Sequence, residues 1–264
     1  ALAVGLLAGT HIATWGMYKD APHEGFRRYP RSIFVGVAVS LIIVAIVPKD
    51  WLSAGALCVL FGVAYACERG ATEFYKMFLR HEDQSKFFIP MEFHVFGKVV
   101  PPGRRRILIG VGHILVFILV GVGVFALQSW DTGLPRPVLF GLIGSSLGWL
   151  VAFGGAFKDA PIEGFEWLKF FRSPVAAGLF AALLSPFTNS YVLASIGGAG
   201  YSVAAIETYK TFFFPNKPRG KFAGKPILFP EILTFRQRFV PLYAAIWAIV
   251  IGAFIMAYAP LLQR

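Results

Sequence analysis

The chain has 264 residues, of which 56% are hydrophobic and only 15% charged, and its net charge is +11. A soluble domain normally carries about 25% charged residues, so the polar surface that a soluble globule needs is missing. The basic residues are gathered between apolar runs, which is the positive-inside pattern of membrane proteins; this argues against nucleic acid as a partner and for the bilayer and its anionic lipids.

Eight apolar runs follow one another: 1–18, 33–47, 51–67, 107–127, 138–157, 174–187, 191–206 and 239–259. Their length and hydropathy predict an all-α, polytopic integral membrane protein with about eight transmembrane helices. Several runs are near 15 residues, short of the ~20 that cross a bilayer squarely, so their ends are expected to continue helically into the interface. Pro48-Lys49-Asp50 alone separates the second and third runs and marks a tight helical hairpin. Phe187 to Ser190 marks the matching hairpin between the sixth and seventh.

Four intervening segments hold 22 of the 25 Lys and Arg residues: 19–32, 68–106, 158–173 and 207–238. Only Lys49, Arg136 and Arg264 fall elsewhere. The basic segments are therefore expected on the cytoplasmic side, with both termini on the opposite side. The two long segments are too basic to enter the bilayer core and are expected to lie on its surface or against a partner. The run Gly103 to Arg106 reads as an anchor of topology.

The chain also resembles itself. Residues 19–26 read KDAPHEGF and residues 158–165 read KDAPIEGF, seven of eight positions agreeing. Gly16 and Gly155 each precede the Lys by three residues, and Arg31-Ser32 corresponds to Arg172-Ser173. Further on, Glu73-Phe74-Tyr75-Lys76 matches Glu207-Thr208-Tyr209-Lys210, and Pro90-Met91-Glu92 resembles Phe229-Pro230-Glu231. Two four-helix repeats are expected, 1–133 and 134–264. Four helices separate the motifs, and four is even, so the repeats should be parallel and related by a pseudo-two-fold axis along the membrane normal.

The motif has a physical reading. Lys19 or Lys158 at a helix C-terminus complements the negative end of the dipole. Pro22 or Pro161 stops the helix, Gly25 or Gly164 allows a tight turn, and Phe26 or Phe165 anchors the loop. Ser32 and Ser173-Pro174 read as helix starts. Those roles leave the acids unexplained. Asp20 and Glu24, like Asp159 and Glu163, are four apart and are expected to converge across the turn. Glu73 and Lys76, like Glu207 and Lys210, share a helix face. Each repeat is thus expected to gather its own cluster: Lys19, Arg31 and Lys76 with Asp20, Glu24 and Glu73, and Lys158, Arg172 and Lys210 with Asp159, Glu163 and Glu207.

The lysines and arginines suit an anionic headgroup or phosphate. The acids suit either a salt-bridge clasp or Mg²⁺ held together with a substrate phosphate. The leading expectation is a non-catalytic transport or accessory subunit whose duplicated charged site engages anionic headgroups or a partner protein. The alternatives are a membrane-embedded Mg²⁺-dependent enzyme acting on a lipid phosphate and a structural subunit of a larger membrane complex. No cofactor is expected under the leading reading.

The remaining features are expected to be structural. Cys58 and Cys67 form no disulfide framework or metal motif. His11 and His113 lie within apolar runs and read as hydrogen-bonded packing residues. His23, His81 and His94 show no metal-ligand spacing. The small residues Gly5, Gly9, Gly141, Gly144, Ser145, Gly148, Gly197, Gly198 and Gly200 suit close helix packing.

Overall fold

A computed structural model describes residues 1–26, 29–130, 132–215, 220 and 222–263. Arg27, Arg28, Lys217, Arg219, Lys221 and Arg264, part of the basic count above, lie outside the described residues. In chain order the helices are α1 (Leu2–Lys19), α2 (Ala21–Glu24), α3 (Pro30–Ile46), α4 (Ala54–Phe74), α5 (Arg104–Ala126), α6 (Arg136–Lys158), α7 (Ala160–Glu163), α8 (Trp167–Leu184), α9 (Tyr191–Phe212), α10 (Glu231–Phe235) and α11 (Phe239–Leu262). A two-stranded hairpin, β1 (His94–Val95) and β2 (Lys98–Val99), lies between α4 and α5.

Among the described residues five helical segments are long and apolar enough to cross a membrane: Ala54–Leu79, Arg104–Ser129, Arg136–Lys158, Trp167–Phe187 and Glu231–Leu262. The apolar helix α3 is shorter, at 17 residues. The other two expected spans correspond to α1 and α9, which fall outside this set. Their sequences trade apolarity for small and polar residues, as helices in the middle of a bundle do when their backbones must approach closely. Twelve residues of α1 and twelve of α9 are buried, while α5 buries only Arg106, Gly110 and Val124. The outer helices turn large apolar side chains outward, Phe34 at 74% exposure and Leu119 at 68% among them, as a lipid-facing surface requires.

Helix α4 crosses α9 at the centre. A Cβ on Gly200 would lie 1.9 Å from the Gly62 carbonyl oxygen, and one on Gly62 would lie 2.6 Å from the Gly197 oxygen. Val59 lies beside Gly197 and Ala66 beside Gly200, so the two helices run in the same direction. Tyr201 completes the contact by donating to the Cys58 carbonyl at 2.9 Å and lying against Phe61.

The flanking pairs match in detail. Gly5 and Gly9 of α1 abut Ser40 and Ser32 of α3, and Gly144 and Gly148 of α6 abut Ala181 and Ser173 of α8. Both pairs are antiparallel, with glycine against small side chain and backbone. The expected packing role of these glycines is what the structure uses.

Helix starts differ from expectation at two points. Ser32 and Ser173 are not caps: α3 begins at Pro30 and α8 at Trp167, with Pro174 inside the helix. The aromatic segment Trp167–Phe171 extends α8 back by two turns, its rings packing edge to face against one another and against Trp149. Ser173 serves the packing instead, its carbonyl accepting from Ser202 at 3.3 Å.

Segment 75–103 is held by Arg106. This side chain, 1% exposed, donates to Glu92 Oε2 at 2.5 Å and to the carbonyls of Met77 and Arg80. It is an internal tie and not an anchor facing headgroups, since the carbonyls freed where α4 ends in a π turn at Tyr75–Leu79 need donors.

Candidate functional site

The two copies of the motif fold alike. Lys19 ends α1 and Lys158 ends α6. The next residue hinges each time: Asp20 has φ −92° and ψ −33°, Asp159 has φ −96° and ψ −33°. Each Asp amide donates to the Gly four residues back at 2.7 Å, and each Asp carbonyl receives the amides three and four residues on. Pro22 and Pro161 then start a single helical turn, which ends at Gly25 (φ +83°) and Gly164 (φ +85°). The positive φ explains the glycine at both places, because a Cβ is strained there.

The charged groups do not gather within each half. Lys19 donates to Glu207 Oε2 at 2.6 Å, and Lys158 lies 3.5 Å from Glu73 Oε2. Each corner lysine therefore pairs with the acid of the other half. The expected helix-face pairs do form: Lys76 to Glu73 at 3.1 Å and Lys210 to Glu207 at 2.9 Å. The exchange follows from the central crossing. Parallel α4 and α9 carry their C-terminal ends, with Glu73 and Glu207, to the same end of the bundle, between the ends of α1 and α6. Lys19 and Lys158 thus share one end of the molecule.

Arg69 joins the two corners. It pairs with Glu73 four residues on, and its guanidinium and the Lys19 ammonium lie over the Trp15 ring, 5.2 and 4.5 Å from the centroid. Trp15 in turn donates to the Tyr65 hydroxyl at 3.0 Å, which also bonds His11 Nδ1 at 3.1 Å. His11 is stacked on Tyr243, in the packing role expected of it. Arg69 has no counterpart in the second half, where Val203 stands four residues before Glu207. The four-residue spacing to Glu73 is the signal that identifies it.

The other expected members disperse. Asp20 and Asp159 stay beside their own lysines, at 3.7 and 4.0 Å. Glu163 pairs with Lys169 in the first turn of α8, and Glu24 is the last residue of the α2 turn. The acids of the second motif therefore diverge, since each faces a different cation. Arg172 lies within electrostatic reach of Glu207. Arg31 and Ser32 lie near Glu68, a fully buried carboxylate that is also within electrostatic reach of Arg69 and Lys76. Among the described residues no three His, Cys, Asp or Glu side chains gather with metal-ligand spacing.

The long segments cross over as well. His94, from the first half, bonds the Lys158 carbonyl through Nε2 at 2.8 Å. In the second half, Arg236 reaches the Tyr18 carbonyl, and the amides of Leu228 and Phe229 donate to the Pro22 carbonyl at 2.9 and 3.0 Å. His23 accordingly bonds the Pro226 carbonyl at 2.8 Å. Each motif is capped by the loop of the opposite half. A shallow crevice beside the first corner is lined by Lys19, Lys210 and Arg236, with the buried Thr211 hydroxyl unpartnered in it. Such a group suits an anion's oxygens.

The corners differ in access. The Lys19 and Glu207 side chains are 11% and 13% exposed, those of Lys158 and Glu73 31% and 30%. Trp15, four residues before Lys19, covers that ammonium, whereas Gly154 stands four residues before Lys158 and supplies no ring. Comparison with family models, curated proteins and solved structures finds no match for this chain.

Proposed function

We propose that the chain is a non-catalytic membrane subunit that binds anionic headgroups on the charged end of its bundle. It acts as an accessory subunit and not as a carrier with a central path, because the α4–α9 crossing packs backbone on backbone where such a path would run. On this reading α1, α3 and α9 join the five long apolar helices to make eight spans. The halves 1–133 and 134–264 are parallel repeats about a pseudo-two-fold axis, and the basic end faces the cytoplasm. The matching glycine crossings and the matching Asp20 and Asp159 hinges support the repeat.

The observation that carries the headgroup reading is the merging of both corners into one platform. Lys19, Arg69, Lys76, Lys158 and Lys210 surround Glu73 and Glu207. Four acids, with Asp20 and Asp159 beside their own lysines, answer five cations, which leaves one positive charge in surplus. Paired charges of this kind hold the halves together, and the surplus faces the headgroup layer. Each such cation near an anionic surface contributes about 1 kcal/mol. The Mg²⁺-dependent enzyme has no gathered ligand set to support it among the described residues.

The test is lipid selectivity. The full chain is equilibrated with mixed micelles of phosphatidylglycerol and phosphatidylcholine, and the retained lipids are quantified. The proposal expects phosphatidylglycerol to be enriched several-fold over the bulk mixture. Enrichment should fall towards the bulk ratio in the Lys76→Gln/Lys158→Gln/Lys210→Gln variant. No enrichment in the wild type, or full enrichment in the variant, would refute it.

A further inference from the structure

A lateral cavity of about 510 Å³ opens between α4, α5, α6 and α9. Its lining is almost wholly apolar: Gly70 and Phe74 on α4, His113, Gly121 and Val124 on α5, and Ser195 on α9 are among its walls. From His113 to Val124 it extends about 16 Å along α5 by helical rise. It opens sideways past α5, whose lining residues Ile114 and Ile118 are 43% and 53% exposed.

The space is not a by-product of glycine packing. A Cβ on Gly62 or Gly200 would strike backbone, whereas one on Gly70 or Gly121 would meet nothing within 4 Å. These two glycines hold room open. Interiors close-pack, and a void forfeits the dispersion contacts of its walls. An apolar chain from the surrounding bilayer fills such a space without desolvating any polar group.

The cavity reaches the turns of α4 that carry the charged platform, with no charged side chain in its lining. Gly70 follows Arg69 directly, and Phe74 follows Glu73, which faces the more exposed Lys158. A molecule that fits both features has an anionic head at Lys158, Lys76 and Arg69 and an apolar tail running down α5. His113, against Phe78 and Phe117, is the polar side chain of the lining nearest the platform end of α5. The one polar side chain of the deeper lining, Ser195, has a buried hydroxyl without a partner. It can turn onto its own helix's carbonyls as serine hydroxyls do.

We infer that this cavity holds one acyl chain of an anionic glycerophospholipid whose phosphate sits on the second corner of the platform. The inference deepens the headgroup reading and rests on it. The corresponding space in the other half is closed, because α11 packs on α4 and α1 there and Tyr243 and Trp247 enclose His11. A single tail site per chain is therefore expected.

The experiment compares dihexanoyl and dioleoyl phosphatidylglycerol for retention by the full chain in detergent, read by native mass spectrometry. Wild type is expected to keep one dioleoyl lipid at least tenfold better than the dihexanoyl lipid. Gly70→Leu/Gly121→Leu puts side chains into the space from positions where a Cβ meets nothing within 4 Å, and should abolish that chain-length preference. It should leave the preference for phosphatidylglycerol over phosphatidylcholine intact. Equal retention of both lipids by wild type, or undiminished dioleoyl retention by the filled variant, would overturn the tail site. Loss of headgroup preference in wild type, with chain-length preference kept, would instead overturn the platform reading. A thermal melt of the filled variant matching wild type shows that it has folded.

Discussion

Arg106→Met lowers the stability of the fold by about 3–5 kcal/mol, the cost of leaving a buried charge without its partner. Arg106 and Glu92 are both fully buried, and the guanidinium also serves two backbone carbonyls. Removing it leaves the Glu92 carboxylate without its buried countercharge, held only by the Glu82 amide, and takes a donor from the Arg80 carbonyl and from the Met77 carbonyl, which keeps the Phe93 amide. The segment that carries His94 to the Lys158 carbonyl loosens with them, so the second corner of the platform should open too. The measurement is the unfolding midpoint in detergent. Arg106→Met/Glu92→Gln should recover part of the loss, because the stranded charge is gone. A single-variant loss below about 1 kcal/mol would show that Arg106 is a surface anchor after all.

Gly200→Val is the second large effect, expected at about 3 kcal/mol or more, the upper range for overpacking. Its Cβ would lie 1.9 Å from the Gly62 carbonyl oxygen, so no rotamer relieves the clash and α4 must part from α9. Gly112→Ala is the matched control. It is also a helical glycine, but its Cβ meets nothing within 4 Å. It should be neutral or raise the midpoint by up to about 1 kcal/mol, from helix propensity alone. Similar effects of the two substitutions would mean that the central crossing is not close-packed.

The sequence made the helices, their approximate order and the motif turns legible, because each rests on local chemistry. Apolar runs, Pro22 and Pro161 after the lysines, and the glycines at positive φ all act within a few residues. It misassigned the partners of Lys19 and Lys158. Nothing local distinguishes Glu73 from Glu207 as the mate of Lys19, since both stand in the same motif. The choice is made by Gly62 and Gly200, which set α4 against α9 far from the charges. Arg106 was misread for a related reason. Three consecutive arginines look alike in sequence, and only the register of α5 sends the third inward to Glu92. The lateral cavity was not visible at all, because a glycine that packs and a glycine that leaves space are the same letter.

The account stands on the exchange of charged partners between the halves, and a charge-reversal cycle tests it most directly. Lys19→Glu should lower the unfolding midpoint. Glu207→Lys in the same chain should restore it, with a coupling energy of about 0.5–3 kcal/mol, the range for contacting charged pairs. Lys19→Glu combined with Glu73→Lys should show no comparable rescue. Rescue by Glu73→Lys and none by Glu207→Lys would place each lysine with its own half and contradict the structure of the platform.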